Sequence, residues 1–249
     1  MTKKQRLDQL LKLLYPSYSR TQIQSWIMQG HVTVNDQVMT KVGALVPEGA
    51  EVSLVVDEPK YVSRAGLKLE RALDYFDIAV ADKVVLDAGL STGGFTDCLL
   101  QHGARKVYGI DVGYGQVHEK IRNDDRVVVM ERINLRHLAP DMIPELVDLV
   151  TLDLSFISVL KVIEAIKAIM KSDAQLVVLI KPQFEARREQ IERGGIIRDP
   201  AVHQNVVKTV VNGIQREGFS AIGVTESPIE GSSGNKEFLA YFHRIPEEA

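Results

Sequence analysis

The sequence predicts an α/β protein: a mostly parallel sheet with helices on both faces and one antiparallel strand at the end, preceded by a small α+β module. From about residue 84, strand-like apolar runs alternate with helical stretches, a pattern that specifies a parallel sheet. Two strands come last, Phe219–Thr225 and Glu237–His243, joined by the turn-rich Ser227–Lys236, and a terminal hairpin turns one strand against the rest. Residues 1–60 instead read as two short helices followed by a hairpin.

Composition sets outer limits. A chain of 249 residues holds one large domain and one small one, and its apolar and charged fractions are those of an ordinary globular protein. No run approaches the roughly 20 apolar residues of a membrane helix, and Asp8 and Lys12 interrupt any signal-peptide core, so a cytoplasmic protein with no membrane partner is expected. A single cysteine, Cys98, permits neither an internal disulfide nor a cysteine-built zinc site, and no metal is expected. Net charge is −3, so contact with nucleic acid would have to come from local basic patches.

The small module is read in order. Leu7, Leu10, Leu11 and Leu14 fall on helical spacing, and Pro16 ends that helix. Ser19 caps a second helix, Arg20–Gln29, which Gly30 closes. Val32–Val34 and Gln37–Met39 flank Asn35-Asp36, a hairpin turn, and 51–56 supplies another strand. Over residues 1–42, Lys3, Lys4, Arg6, Lys12, Arg20 and Lys41 oppose only Asp8 and Asp36, six against two, a net +4. Such charge suits phosphates, although a solvated helix face would look the same. Asp57-Glu58-Pro59-Lys60 is charged and proline-bearing, which divides a module at 1–58 from a larger domain at 64–249 through a linker at 59–63.

The larger domain opens with a helix over Ala65–Phe76. Strands are expected near 84–87, 106–111, 127–131, 148–154 and 175–181, and helices near 95–101, 115–122, 158–170 and 201–217. Its organising segment is Val84–Phe95, a buried strand that breaks at Gly89, Gly93 and Gly94 into a helix. Asp111, about 20 residues later at the end of the next strand, is placed to accept ribose hydroxyls, which predicts an adenosine-bearing ligand. Ser91 occupies the middle glycine of a dinucleotide loop and no lysine follows Gly94, so NAD, FAD and ATP fit less well than S-adenosylmethionine. A glycine turn in an unrelated α/β fold is the alternative.

Ligands in open α/β sheets bind outside the carboxyl ends of the strands. Asp153 and Lys181 are each the first charge after an apolar run, and Glu237 opens a strand that runs the other way. All three are therefore expected on one rim, although any one of them taken singly reads as the place where a buried strand meets water.

Two resemblances extend this reading. The Ser19-Arg20 helix start, the Gly30-His31-Val32 hairpin and Lys41-x-Gly43 resemble the S-four type RNA-binding module. Ser63–Leu69, Ser91–Leu100, Asp111–Gln116, Asp153–Ser158, Lys181–Glu185 and Gly234–Leu239 resemble the TlyA family, often labelled haemolysin A, along essentially the whole chain. That resemblance implies a Rossmann-like sheet similar to FtsJ-type ribose 2′-O-methyltransferases, S-adenosyl-L-methionine as cofactor, and ribosomal RNA or ribosomal subunits as partner. It implies a catalytic tetrad of Lys68, Asp153, Lys181 and Glu237, with Lys181 as base. It implies cofactor contacts from Asp87, Gly89, Ser91, Thr92, Gly93, Gly94, Phe95, Asp111, Asn134 and Asp153. RNA contacts would come from Lys3, Lys4, Arg6, Lys12, Arg20, Lys41 and Arg64. Two departures stand out. Leu90 replaces a small residue and would narrow the pocket, and Pro59-Lys60-Tyr61-Val62 lacks the Arg and Trp of the coupling segment in some relatives. Cys98 lies in the helix after the loop, where a core role is expected rather than that of a nucleophile. Arg187, Arg188, Arg193 and Arg198 make a basic loop, equally readable as an RNA flap or as solvated surface.

Overall fold

A computed structural model describes residues 4–55 and 59–246, with the side chain of Ser232 excepted. The expected RNA contact Lys3 and the linker residues Asp57 and Glu58 lie outside the described residues. Contacts divide the chain into two compact units, Met1–Glu58 and Pro59–Ala249.

In the first unit, β1 (Lys4–Arg6) leads into α1 (Leu7–Leu14), α2 (Arg20–Met28), β2 (Val32–Val34), β3 (Gln37–Met39), β4 (Leu45–Pro47) and β5 (Val52–Leu54). Ser19 and Gln22 form a reciprocal capping box that satisfies two otherwise orphaned N–H groups at the start of α2. Asn35 and Asp36 both take positive φ, 47° and 65°, the geometry that matches a two-residue turn to the twist of β2 and β3. The core gathers Leu7, Leu11, Ile23, Ile27, Val32, Val34 and Val46. Leu14, expected on this stripe, is exposed, and Asp8 is buried instead. Strands β1 and β4 pair with each other, a pairing that three-residue runs give periodicity no chance to register.

The second unit continues with α3 (Ala65–Phe76), β6 (Val84–Ala88), α4 (Gly94–Gln101), β7 (Lys106–Asp111), α5 (Glu119–Arg122), β8 (Val127–Glu131), β9 (Val147–Leu152), α6 (Ile163–Lys167), β10 (Met170–Ile180), α7 (Pro182–Glu185), α8 (Pro200–Arg216), β11 (Phe219–Glu226) and β12 (Phe238–Arg244). Its seven strands lie in the order β11-β12-β10-β9-β6-β7-β8, and β12 runs antiparallel to both neighbours while the rest of the sheet is parallel. This is the expected sheet. Apolar clusters cover both faces, α3 and α4 on one and α6 and α8 on the other.

Two expected helices contract. The stretch 115–122 is helical only over α5, because Gly115 takes φ 72° and its N–H is held by Glu131 at 2.6 Å. The stretch 158–170 breaks into a 3₁₀ turn, Val159–Lys161, and the short α6. There β-branched Val159, Val162 and Ile163 are pulled into the core, and β10 begins at Met170.

Asp87, expected to touch a cofactor, lies beneath the loop with no exposed surface. Thr96 Oγ1 donates to it at 2.6 Å and Thr151 Oγ1 at 3.1 Å, so its carboxylate ties α4 and β9 to β6. Burial pushes its carboxyl up to about 6, against the opposing pull of these hydroxyls. A value raised on folding means that Asp87 stabilises the fold fully below about pH 4 and that this contribution is lost as pH rises through about 6. Relative to wild type, Asp87→Asn should therefore gain on the order of 3 kcal/mol between pH 4 and pH 7 in urea unfolding. A pH-independent difference between the two proteins would contradict this ionisation.

Candidate active site

The loop after β6 is fastened before any ligand arrives. Gly89 takes φ 93°, and a Cβ there would lie 2.3 Å from the Asp153 carbonyl oxygen, so only glycine lets this turn approach the end of β9. The Gly89 and Leu90 amides both donate to the Ile110 carbonyl, at 2.9 and 3.0 Å. Ser91 N–H donates to Asp111 Oδ2 at 2.8 Å, and Gly113 N–H to Asp111 Oδ1 at 2.7 Å. Each oxygen keeps a lone pair for a further donor.

A cleft of about 590 Å³ opens between this loop and the ends of β7 and β9, and Gly89, Ser91, Asp111, Asn134, Asp153 and Phe156 are among the residues lining it. Apolar Ile133, Leu135 and Leu154 line it as well. Carboxylates that accept hydroxyls and attract positive charge, set beside apolar walls of this size, fit an adenosyl sulfonium ligand. Leu90 does not narrow the cleft. It is buried over Gly109, where a Cβ would come within 2.7 Å of its Cδ2. A larger hollow, about 730 Å³ and lined by Glu185, Asn205 and Thr209, includes none of the tetrad.

Five of the expected cofactor contacts do not line the cleft: Asp87, Thr92, Gly93, Gly94 and Phe95. Packing requires the two glycines. A Cβ at Gly93 would meet Ile121 Cγ1 at 2.8 Å, and one at Gly94 would meet Ser63 Oγ at 2.2 Å. Phe95 belongs to the core, and the Thr92 carbonyl accepts from His118 N–H.

The tetrad resolves into two ion pairs on adjacent strand ends. Lys181 Nζ lies 2.5 Å from Asp153 Oδ1 and donates to Ser155 Oγ at 3.0 Å. Lys68, on α3, lies 2.5 Å from Glu237 Oε2, and their side chains are only 10% and 2% exposed. Strand register places the two pairs along one edge. Ala88 pairs with Leu152, so Gly89 stands beside Asp153, and Ile180 pairs with Phe238, so Lys181 stands beside Glu237.

The sequence reading missed three neighbours. Ser155 holds Lys181, a role that only contact geometry reveals. Phe156 is 90% exposed at φ 65°, a conformation rare for an aromatic residue, with its ring 5.0 Å from that of Phe184. Gln183 is buried, and neither of its amide atoms finds a partner among the described residues. Cys98 is fully buried, and burial pushes its thiol up to about 12, which leaves no thiolate for nucleophilic chemistry near neutrality. Among the described residues no group of three His, Cys, Asp or Glu is arranged to hold a metal ion, and no helix is long and apolar enough to cross a membrane.

The basic residues of the first unit divide. Lys4 and Lys41 are exposed, while Lys12 Nζ donates to the Pro16 and Tyr18 carbonyls at 2.9 and 2.6 Å and so holds the turn between helices. Arg6 and Arg20 converge on Asp8. In the second unit, Arg64 is exposed just ahead of α3.

Removing one partner of a buried ion pair leaves the other charge uncompensated. Lys68→Ala is expected to cost about 3–5 kcal/mol in denaturant unfolding, and Lys68→Met combined with Glu237→Gln to recover most of that loss. Equal losses in the single and paired variants would refute the pairing.

Comparisons with known proteins agree with this geometry. The FtsJ-like methyltransferase model matches residues 61–244 and the S4 domain model residues 5–52. The 16S/23S rRNA (cytidine-2′-O)-methyltransferase TlyA of Mycobacterium tuberculosis is 41% identical, covering 100% of this chain and 93% of its own. Hemolysin A of Brachyspira hyodysenteriae is 42% identical over 95% of this chain and 99% of its own. A solved Streptococcus thermophilus structure, described as that of a candidate hemolysin, superposes with a TM-score of 0.74 at 41% identity, covering 98% of this chain and 90% of that one. An S-adenosylmethionine-dependent methyltransferase from Mesorhizobium loti shares the fold alone, with a TM-score of 0.51 at 17% identity, over 70% of this chain and 96% of that one. The adjacent ion pairs, the glycine-built cleft and these matches together show that the chain belongs to the TlyA/hemolysin A family of FtsJ-like methyltransferases that carry an S4 domain.

Proposed function

We propose that this chain transfers a methyl group from S-adenosylmethionine to the 2′-hydroxyl of a cytidine in ribosomal RNA, acting on ribosomal subunits in the cytoplasm. The observation that carries this reading is the Lys181–Asp153 pair, set at the strand end beside Gly89 and the cleft. Cytidine and ribosomal RNA follow the names of relatives, among them a Campylobacter jejuni 23S rRNA (cytidine-2′-O)-methyltransferase that is 30% identical over 80% of this chain and 76% of its own.

When bound, the cofactor supplies a methyl group already activated by a positive sulfur. The chain must then align the hydroxyl and take its proton. Asp111 and Asn134 hold the adenosyl end, the former through its spare lone pairs. Lys181, acting as the neutral amine after giving up its own proton, receives the 2′-hydroxyl proton on Nζ as the oxygen bonds to the methyl carbon and the methyl–sulfur bond breaks, its electron pair staying on sulfur. Asp153 and Ser155 fix the direction of that nitrogen, and holding the hydroxyl and the methyl donor at attack distance is worth roughly 7–11 kcal/mol of barrier. Lys68 and Glu237 form the wall behind it, neutral as a pair and shielded from water.

Phe156 offers an open ring face at the mouth of the cleft, which suits the base of an unstacked nucleotide. Stacking of this kind contributes about 1–3 kcal/mol, so Phe156→Ala is expected to raise KM for RNA by roughly tenfold. An unchanged KM would remove the ring from substrate binding.

Purified chain, radiolabelled S-adenosylmethionine and ribosomal subunits should yield label in an alkali-resistant dinucleotide, the signature of a blocked 2′-oxygen. Lys181→Ala should abolish the transfer, and full activity in that variant would contradict the assignment of the base.

A further inference from the structure

The first unit gathers two arginines on one buried acid. Asp8 is the second residue of α1 and has no exposed surface, although it sits between the core residues Leu7 and Leu11. Arg6, from β1, donates Nε to Asp8 Oδ1 at 3.0 Å and Nη2 to Oδ2 at 3.2 Å, a two-point grip. Arg20, at the start of α2, donates Nη2 to Oδ2 at 2.9 Å, and Gln24 Nε2 reaches the same oxygen at 3.4 Å. The Arg6 guanidinium, ahead of the opposing cost of burial, holds the Asp8 carboxyl well below the usual carboxylate range, so the anchor stays ionised at any ordinary pH.

Both arginines remain open on their outer sides, with side chains 47% and 59% exposed. Arg6 Nη1 and Arg20 Nε and Nη1 bind no acceptor among the described residues. Two planar forks, drawn from two separate elements, are thus held at one point with donors to spare and an excess charge of one. That arrangement suits a tetrahedral dianion or a diester phosphate, whose oxygens accept from guanidinium in pairs.

We propose that Asp8 is a positioning residue that turns Arg6 and Arg20 into a single bivalent site for an RNA backbone phosphate. The inference rests on the proposal that this chain acts on RNA. It differs from a reading of the charges alone. Asp8 lowers the positive charge of the surface, so on charge alone its removal should tighten the grip on a polyanion. If Asp8 instead pre-orders the two side chains, its removal returns them to many rotamers and weakens binding in spite of the added charge.

The test is fluorescence anisotropy of the full chain on labelled, deproteinised ribosomal RNA over a series of salt concentrations. Asp8→Asn, which keeps size and adds one net positive charge, should bind roughly tenfold more weakly, with a slope of log affinity against log salt shallower by about one. Equal or tighter binding by Asp8→Asn would overturn the proposal. Hydrogen exchange in the β2–β3 hairpin checks that the unit stays folded. Should Asp8→Asn unfold it, the double variant Arg6→Lys, Arg20→Lys decides, because it preserves charge and loses the forks: weaker binding supports the proposal and wild-type binding overturns it. Wild-type protein that fails to bind RNA at any salt would sink the RNA reading itself, whereas wild-type binding with an indifferent Asp8→Asn sinks only this inference.

Discussion

The reversal of β12 is the constraint on which the site depends. Every other strand of the large sheet points its carboxyl end to one edge, and β12 alone brings its amino end there. Glu237 therefore stands next to Lys181, although 56 positions separate their numbers and a long helix and an edge strand intervene. With β12 parallel to its neighbours, Glu237 would lie at the opposite edge and Lys68 would be a buried ammonium without a counterion. The glycine turn after β6 adds the second half, because Gly89 presses against Asp153 at the neighbouring strand end. Cleft and ion pairs are thus adjacent by strand order, and no loop has to fold across to unite them.

Three of the buried acids among the described residues are accommodated in different ways. Asp87 has hydroxyl donors and no cation beside it, so burial prevails over those hydrogen bonds and its proton is held more tightly. Glu237 meets one ammonium within the sheet edge. Asp8 meets two guanidinium groups that themselves reach water. The first arrangement braces a turn, the second closes a wall, and the third orders an exposed surface. A carboxylate is kept in each place because its partners supply what water would have supplied.

Much of this was legible in the sequence, for identifiable reasons. Asn35-Asp36 and Ser19 act through local geometry, so their roles hold whatever packs around them. Asp153 and Lys181 end apolar runs, and strand direction alone puts them on the rim. Other features were out of reach. Gly93 and Gly94 looked like ligand glycines, yet they answer to Ile121 and Ser63, partners 28 and 31 positions away that no local pattern reveals. Asp87 reads as a strand-end acid like Asp111, and only the hydroxyls of Thr96 and Thr151 show that it faces inward. The exposed ring of Phe156 depends on a backbone angle that the residue type argues against.

A crystal of this chain soaked with S-adenosylhomocysteine tests the central claim most directly. Density for the adenosyl group between Gly89–Ser91 and Asp111–Gly113, with the sulfur facing the Lys181–Asp153 pair, is the result this account predicts. Density in the hollow between α7 and α8, or an adenosyl group whose sulfur faces away from Lys181, would contradict it.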